Sequence, residues 1–499
     1  MSHQRQSGIL LHPTSLPGPD GIGSLGAEAF AFIDFLAETG QSVWQIMPLG
    51  PTGYGDSPYS SFSAFAGNPL LVSLQRLVEE GDLDPADVAG TALPEGEAHF
   101  GFTFSHKTRL LHKGAERFFR QGREERRQAY GNFHAHQGYW LDDYALFRAL
   151  RQQFDDQPWN RWPEDIRRRD EAALQFWREE LHAPILLHKY AQFVFFEQWF
   201  ALKEYANSRG IRIFGDIPIY VSFDSVDVWA NPHLFYLDQA QNPTLVAGVP
   251  PDYFSETGQL WGNPMYRWER MAQQDFSWWL ARFRWNLTQA DMVRIDHFRG
   301  FEACWAVPAK EKTAINGSWV PVPGDELFRR LQKELGQAPI VAEDLGLITP
   351  EVEALRDRFA FPGMKVLQFA FGSGPDNPYL PFNIERNSVI YTGTHDNNTT
   401  LGWWKSLPTA DKEAVRAYLG TSGRDMPWDL IRLAMASVAN LCILPLQDVL
   451  ALDGRARMNT PGQAGGNWQW RYLPQAPTPE IRKRLADMTR TYGRFPERM

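Results

Sequence analysis

The chain has 499 residues, of which 43% are hydrophobic and 22% charged, a balance that supports a large packed core and excludes a disordered chain. Its formal net charge is -9, and its basic runs are as short as Arg167 to Arg169, which excludes nucleic acid or an anionic membrane as the main partner and points to a neutral substrate. The two cysteines, Cys304 and Cys442, lie in apolar segments and no stretch of 18 apolar residues occurs, so a disulfide framework, a cysteine-based zinc site and a membrane span are excluded and a cytoplasmic location is expected.

In chain order, short β-branched runs alternate with stretches of helical period, the pattern of a parallel sheet. The runs are Val43 to Met47, Pro69 to Ser73, Arg212 to Asp216, Met292 to Asp296, Pro339 to Glu343, Lys365 to Phe371, Ser388 to Thr392 and Leu441 to Leu446. Taken as strands one to eight, they predict a single α/β catalytic unit over residues 1–499, a (β/α)8 TIM barrel, with a doubly wound open sheet as the alternative. About 140 residues separate the second and third runs, far more than one βα connection. Residues 74–205 are therefore expected to form a mainly helical insertion, with helical period over Leu111 to Arg127, Asp142 to Phe154 and Ala172 to Asn207. Residues 222–276, rich in Pro, Gly, Asn and aromatics, read as a second, loop-rich insertion over one face of the barrel. Fewer than about 55 residues follow the last run, room for closing helices but not for another sizeable domain.

The aromatic content is high, 14% of the chain with 19 Trp, and several rings fall in the loop-like stretch Pro250 to Trp268. Such rings suit a ligand with one apolar and one wet face, as a sugar has, although a large aromatic core explains many of them equally well. Gly21 to Gly26 spells a literal G-x-G-x-x-G. A proline-broken loop precedes it and the following run ends in Met47-Pro48-Leu49-Gly50, so neither context of a dinucleotide fingerprint is met and no cofactor or metal is expected.

Acids at the ends of the runs say more. Three runs finish directly in Asp216, Asp296 and Glu343, and a fourth reaches Asp396 four residues on. In a (β/α)8 barrel such positions converge at the C-terminal mouth, whereas singly each could cap a helix, as Asp344 and Asp448 are expected to do structural work. Arg294 lies two residues before Asp296 and so points to the same side, placing a cation beside the carboxylate and favouring its ionised form. Glu343 follows the wholly apolar Ile340-Val341-Ala342, an environment that raises a carboxyl pKa. One ionised carboxylate, one protonated carboxylic acid and a third acid for sugar hydroxyls is the constellation that retaining glycoside chemistry uses.

With these residues in place the sequence resembles the 4-α-glucanotransferases, or amylomaltases, relatives of the α-amylases. The stretches carrying the resemblance run in order over nearly the whole chain: His12 to Pro17, Tyr54 to Tyr59, Gly215 to Pro218, Gly248 to Phe254, Trp261 to Pro264, Arg294 to Gly300, Ala342 to Gly346, Tyr391 to Asp396 and Gly466 to Trp468. The resemblance implies Asp296 as nucleophile, Glu343 as acid/base and Asp396 as transition-state stabiliser. It further implies substrate subsites lined by Ser57, Tyr59, Asp216, Tyr253, Phe254, Gln259, Trp261, Arg294, His297, His395 and Asn467, and a secondary glucan site at Tyr54. The partners implied are maltooligosaccharides, amylose and other glucans from starch or glycogen, handled by transfer, with α-1,4-glucan hydrolysis as the alternative activity. The expected lack of a C-terminal β-domain agrees with this family. Two departures, Phe382 and Ile384 in Pro381-Phe382-Asn383-Ile384 where many relatives carry His and Tyr, and Asn398 where they carry Asp, leave the subsites near the seventh run open.

Overall fold

The computed structural model describes residues 5–90, 93–251, 255–463 and 465–496, with the Tyr54 side chain excepted. Eight parallel strands close into a barrel: β1 Gln6–Leu10, β2 Val43–Gln45, β3 Arg212–Ile217, β4 Met292–Ile295, β5 Ile340–Ala342, β6 Gly363–Val366, β7 Ser388–Tyr391 and β8 Leu441–Pro445. Each strand pairs with its sequence neighbour, and β1 pairs with β8 to close the ring. This is the (β/α)8 barrel.

Strand pleat sorts the side chains into two apolar clusters, because successive residues face opposite sides. Leu10, Val43, Phe214, Met292, Val341, Met364, Val389, Tyr391, Leu441 and Ile443 belong to one cluster, inside the barrel. Their strand neighbours Ile9, Trp44, Ile213, Val293, Ile340, Ile390 and Leu444 belong to the larger one, which joins the barrel wall to its helices.

Two of the expected strands need correction. The first barrel strand is Gln6–Leu10, which the sequence reading passed over, so Val43–Gln45 is the second. Gln6, Ser7 and Gly8 have little strand propensity, but Gly8 is required by packing: a Cβ there would lie 2.3 Å from the Val43 carbonyl oxygen. Arg494 ties this strand to the end of the chain, donating to the carbonyls of Gln6, Met435 and Ala439 at 2.7, 2.9 and 3.0 Å.

The apolar run Pro69 to Ser73 is not a strand but opens with a 3-10 turn, Pro69–Leu71. Asn68 caps it by accepting from the Leu70 N–H, and the proline removes one ladder donor. Side chains then take the backbone groups a ladder would have used. Lys107 donates to the carbonyls of Leu70 and Val72, each at 2.8 Å, and the Gln198 amide pairs with both backbone groups of Ser73.

Between β2 and β3 the long helices Phe100–Gln121, Glu124–Gln153 and His182–Ser208 pack together through buried rings such as Tyr144, Tyr190, Phe193 and Phe196. The last of them also packs on β3. The region read as loops, 222–276, supplies two strands, Leu245–Val249 and Gln259–Pro264. They join Ala303–Pro308 and Ser318–Pro321 in a four-stranded antiparallel sheet with Gln259–Pro264 at its edge. An edge strand tolerates the Gly, Asn and Pro of Gln-Leu-Trp-Gly-Asn-Pro, the composition that made the segment read as a loop. Among the described residues no strand follows β8, and no helix is long and apolar enough to cross a membrane.

Candidate active site

The C-terminal ends of the barrel strands meet under a cleft of about 760 Å³. Asp296 follows β4 directly and Glu343 follows β5, with their backbones locked in register: the Asp296 N–H donates to the Ile217 carbonyl, the Glu343 N–H to that of Ile295 and the Phe298 N–H to that of Glu343, each at 3.0 Å. Asp396 sits on the loop beyond β7. All three carboxylates line the cleft.

Asp216 of β3 is the register partner of Arg294 on β4. Their parity with Phe214 and Met292 turns both inward, and Arg294 lies buried between two acids. Its Nη1 donates to Asp216 Oδ2 at 2.5 Å and its Nη2 to Asp296 Oδ1 at 2.6 Å. The Tyr59 hydroxyl donates to the same Asp216 oxygen at 2.6 Å. Burial opposes the Arg294 charge, but Asp216 and Asp296 outweigh it and hold its pKa above the ordinary arginine value. Asp296 therefore keeps a fixed cation as hydrogen-bond donor, a charge-assisted contact.

Glu343 is in a different setting. Removal from water pushes its pKa up from 4.5 to about 7, Arg294 opposes the rise and the Asp296 charge adds to it. Its two oxygens accept backbone N–H groups, Oε2 from His297 at 2.6 Å and Oε1 from Leu345 at 3.1 Å. His297 reaches this position through a left-handed backbone, φ 52°, at the turn that ends β4. Burial lowers the His297 imidazole to about 4, leaving it neutral near pH 7, and its ring meets Trp261 edge to face at 4.9 Å. A neutral imidazole can both donate to and accept from a hydroxyl.

Ser57, Tyr59, Gln259, Trp261, Arg294, His297, His395 and Asn467 all line the cleft beside the three acids. Tyr59 stacks on His395 at 5.2 Å between ring centres. Trp261 is 38% exposed on the edge strand, with its Nε1 on Gln259 Oε1 at 3.2 Å. Asn467 is engaged within its own loop, accepting from Thr460 N–H and donating to the Gln463 carbonyl, each at 2.9 Å.

Asp216 departs from expectation, since it lies beneath Tyr59 and Arg294 and does not line the cleft. It braces those that do. Tyr253, Phe254 and the Tyr54 side chain lie outside the described residues. Asp344 and Asp448 prove structural: Asp344 accepts from Met364 N–H at 2.7 Å and pairs with Arg356, and Asp448 ties Thr392 to Thr400 and accepts at 2.7 Å from the Thr400 N–H, at the start of the helix Thr400–Ser406. Of the departing residues, Phe382 points outward at 63% exposure and Asn398 lines a small cavity behind the Asp396 loop instead of the cleft.

Several residues that sequence reasoning did not single out also line the cleft, among them Tyr220, Phe223, Asn459 and Gln463. Asn459 and Gln463 lie in the aperiodic stretch Arg457-Met458-Asn459-Thr460-Pro461-Gly462-Gln463, which carries no local signal of a site.

Comparison with known proteins shows the family. The family model described as 4-alpha-glucanotransferase matches residues 11–476. The chain belongs to the 4-alpha-glucanotransferase family. The 4-alpha-glucanotransferase of Thermus thermophilus is 50% identical over 99% of this chain and 100% of its own length. That of Synechocystis is 52% identical over 99% of both. An amylomaltase from Streptococcus agalactiae, solved in complex with acarbose, superposes with a TM-score of 0.96 at 40% identity, over 99% of this chain and 100% of its own. Family membership makes the chain an enzyme of α-glucan transfer.

Proposed function

We propose that the protein moves α-1,4-glucan segments between maltooligosaccharides, amylose and related glucans of starch or glycogen by double displacement, with Asp296 as nucleophile, Glu343 as acid/base and Asp396 as stabiliser. The observation that carries this reading is the contrast between two neighbouring acids. Asp296 holds a hydrogen bond to the Arg294 cation, whereas Glu343, raised to about 7, keeps a proton near neutrality.

In the first step an Asp296 oxygen attacks the anomeric carbon, the bond from that carbon to the bridging oxygen breaks, and Glu343 gives its proton to the departing chain. Asp396 holds hydroxyls of the ring as it flattens toward an oxocarbenium ion. In the second step Glu343 takes the proton from the 4-hydroxyl of an acceptor glucan, whose oxygen displaces Asp296. Trp261 gives that acceptor an aromatic face and His297 and His395 supply polar partners.

Transfer over hydrolysis requires that sugar reach Glu343 more readily than water. We assign that preference to the segment 248–256 with Tyr253 and Phe254. The strands Leu245–Val249 and Gln259–Pro264 are paired, and the second brings Gln259 and Trp261 to the cleft. Shortening the segment should lower the ratio of transfer to hydrolysis, and an unchanged ratio would remove this assignment. The cytoplasm is the location that two buried free thiols support.

Incubation with maltotriose tests the function. A ladder of longer glucans together with glucose is expected. Products no longer than maltotriose would instead identify a hydrolase.

A further inference from the structure

Asp296 and Glu343 are fixed by neighbouring barrel strands, but Asp396 sits on a loop with its side chain 44% exposed. The stretch Arg457 to Asn459, which follows β8 in the chain, holds it. The Asn459 Nδ2 donates to Asp396 Oδ1 at 2.6 Å, closer than the His395 Nε2 that faces the same oxygen at 3.4 Å. The Asn459 N–H donates to the carbonyl of His395 at 3.1 Å. Arg457 ties both chains together, its Nη2 donating to the Asp396 carbonyl at 2.5 Å and its Nε to the Asn459 carbonyl at 2.7 Å. This stretch is itself braced, since Trp468 N–H donates to the Met458 carbonyl at 2.7 Å. Nδ2 of Asn459 is a directional donor that carries no charge, so it can orient the carboxylate without neutralising it.

We propose that Asn459, seconded by Arg457, is the positioning residue for the third carboxylate of the reaction, an inference that rests on the stabilising role assigned to Asp396 above. Binding Oδ1 fixes the rotation of the carboxylate about its Cβ–Cγ bond. It leaves Oδ2 to accept from the sugar, whose hydroxyls tighten on it as the ring flattens. The contact therefore matters more in the transition state than in the bound substrate, and its loss falls on kcat more than on KM.

The test uses the full chain with maltotriose as substrate. Removing a hydrogen bond to a charged group in Asn459→Ala should lower kcat by roughly 10- to 100-fold, with KM within about threefold of the parent. The near-isosteric Asn459→Asp places two carboxylates together, and they must share a proton to restore the contact. Its kcat relative to the parent should then rise at least about tenfold as pH falls from about 8 to about 5, a response that a purely structural role does not produce. Should the alanine variant fail to fold, the aspartate ratio alone decides. A kcat of Asn459→Ala within about threefold of the parent, or an Asn459→Asp ratio flat with pH, overturns the inference. Asp396→Asn serves as the control: if it keeps its kcat, the role of Asp396 itself is wrong, and if it is inactive while the Asn459 variants behave as the parent, only the positioning role falls.

Discussion

Replacing Arg294 by Met keeps an unbranched apolar stem but removes the cation that serves Asp216 and Asp296 together. The Asp216 side chain is 2% exposed and would be left with the Tyr59 hydroxyl as its remaining donor. Breaking a buried ion pair from one side costs about 3–5 kcal/mol, because the stranded charge has lost its compensation. The lower end, about 3 kcal/mol, applies here, since Asp296 is 30% exposed and can be rehydrated. Adding Asp216→Asn removes the stranded charge and should return most of that stability while leaving the enzyme inactive. Asp296 has still lost its donor, and kcat should stay down by about 100-fold or more. Arg294 also restrains Glu343, so in Arg294→Met the alkaline limb of activity set by that acid should move to higher pH. Urea unfolding of the two variants and a pH profile of Arg294→Met measure all of this. An Arg294→Met protein within about 1 kcal/mol of the parent, or a double variant no more stable than the single one, would refute the placement of Arg294 as the shared cation.

Glu343 makes two further predictions. Its protonated form is needed for the first step, so kcat/KM for a maltooligosaccharide donor should fall as pH rises through about 7. The folded chain keeps that proton up to about 7, whereas the unfolded chain releases it near 4.5. The native state thus binds more protons in that window, and this group's contribution makes stability fall as pH rises across it. In Glu343→Gln the denaturation midpoint should lose that part of its pH dependence, and an identical slope in parent and variant would contradict the raised value. Asp344→Ala, one residue away, should behave in the opposite way. Leaving the Met364 N–H without its acceptor, and Arg356 with Asp357 alone, should cost about 2 kcal/mol of unfolding free energy, with donor kcat/KM within about threefold, and a specific loss of activity would make Asp344 part of the chemistry.

Seven of the eight barrel strands were legible in the sequence, and so were Asp296 and Glu343, because strand ends and acids coincide there; Asp396, on the loop past β7, was reached through its nearness to the Ser388–Tyr391 run. Ile295 leads to Asp296 and Ala342 to Glu343 without an intervening residue, and alternation alone put Arg294 on the side of Asp296. Gln6–Leu10 was hidden because a strand that must admit the Val43 backbone beside Gly8 gives up the β-branched signature by which strands are recognised. Pro69 to Ser73 misled in the other direction. Its apolar run is buried, but Lys107 and Gln198, distant in sequence, satisfy its backbone, and no local pattern reports such partners. The same limit hid Asn459, which is opposite Asp396 only because the chain returns past β8 to reach it. Asp216 was found but misplaced, since period-two alternation puts it inside the barrel without saying that Tyr59 and Arg294 cover it.

The most direct measurement is covalent trapping. The Glu343→Gln variant, given a glycosyl fluoride donor whose leaving group needs no acid, should form the glycosyl-enzyme and release it slowly. Peptide mass spectrometry should then find one sugar on the peptide carrying Asp296, and an Asp296→Asn partner variant should carry none. Turnover without any adduct, or an adduct on a different carboxylate, would contradict double displacement through Asp296.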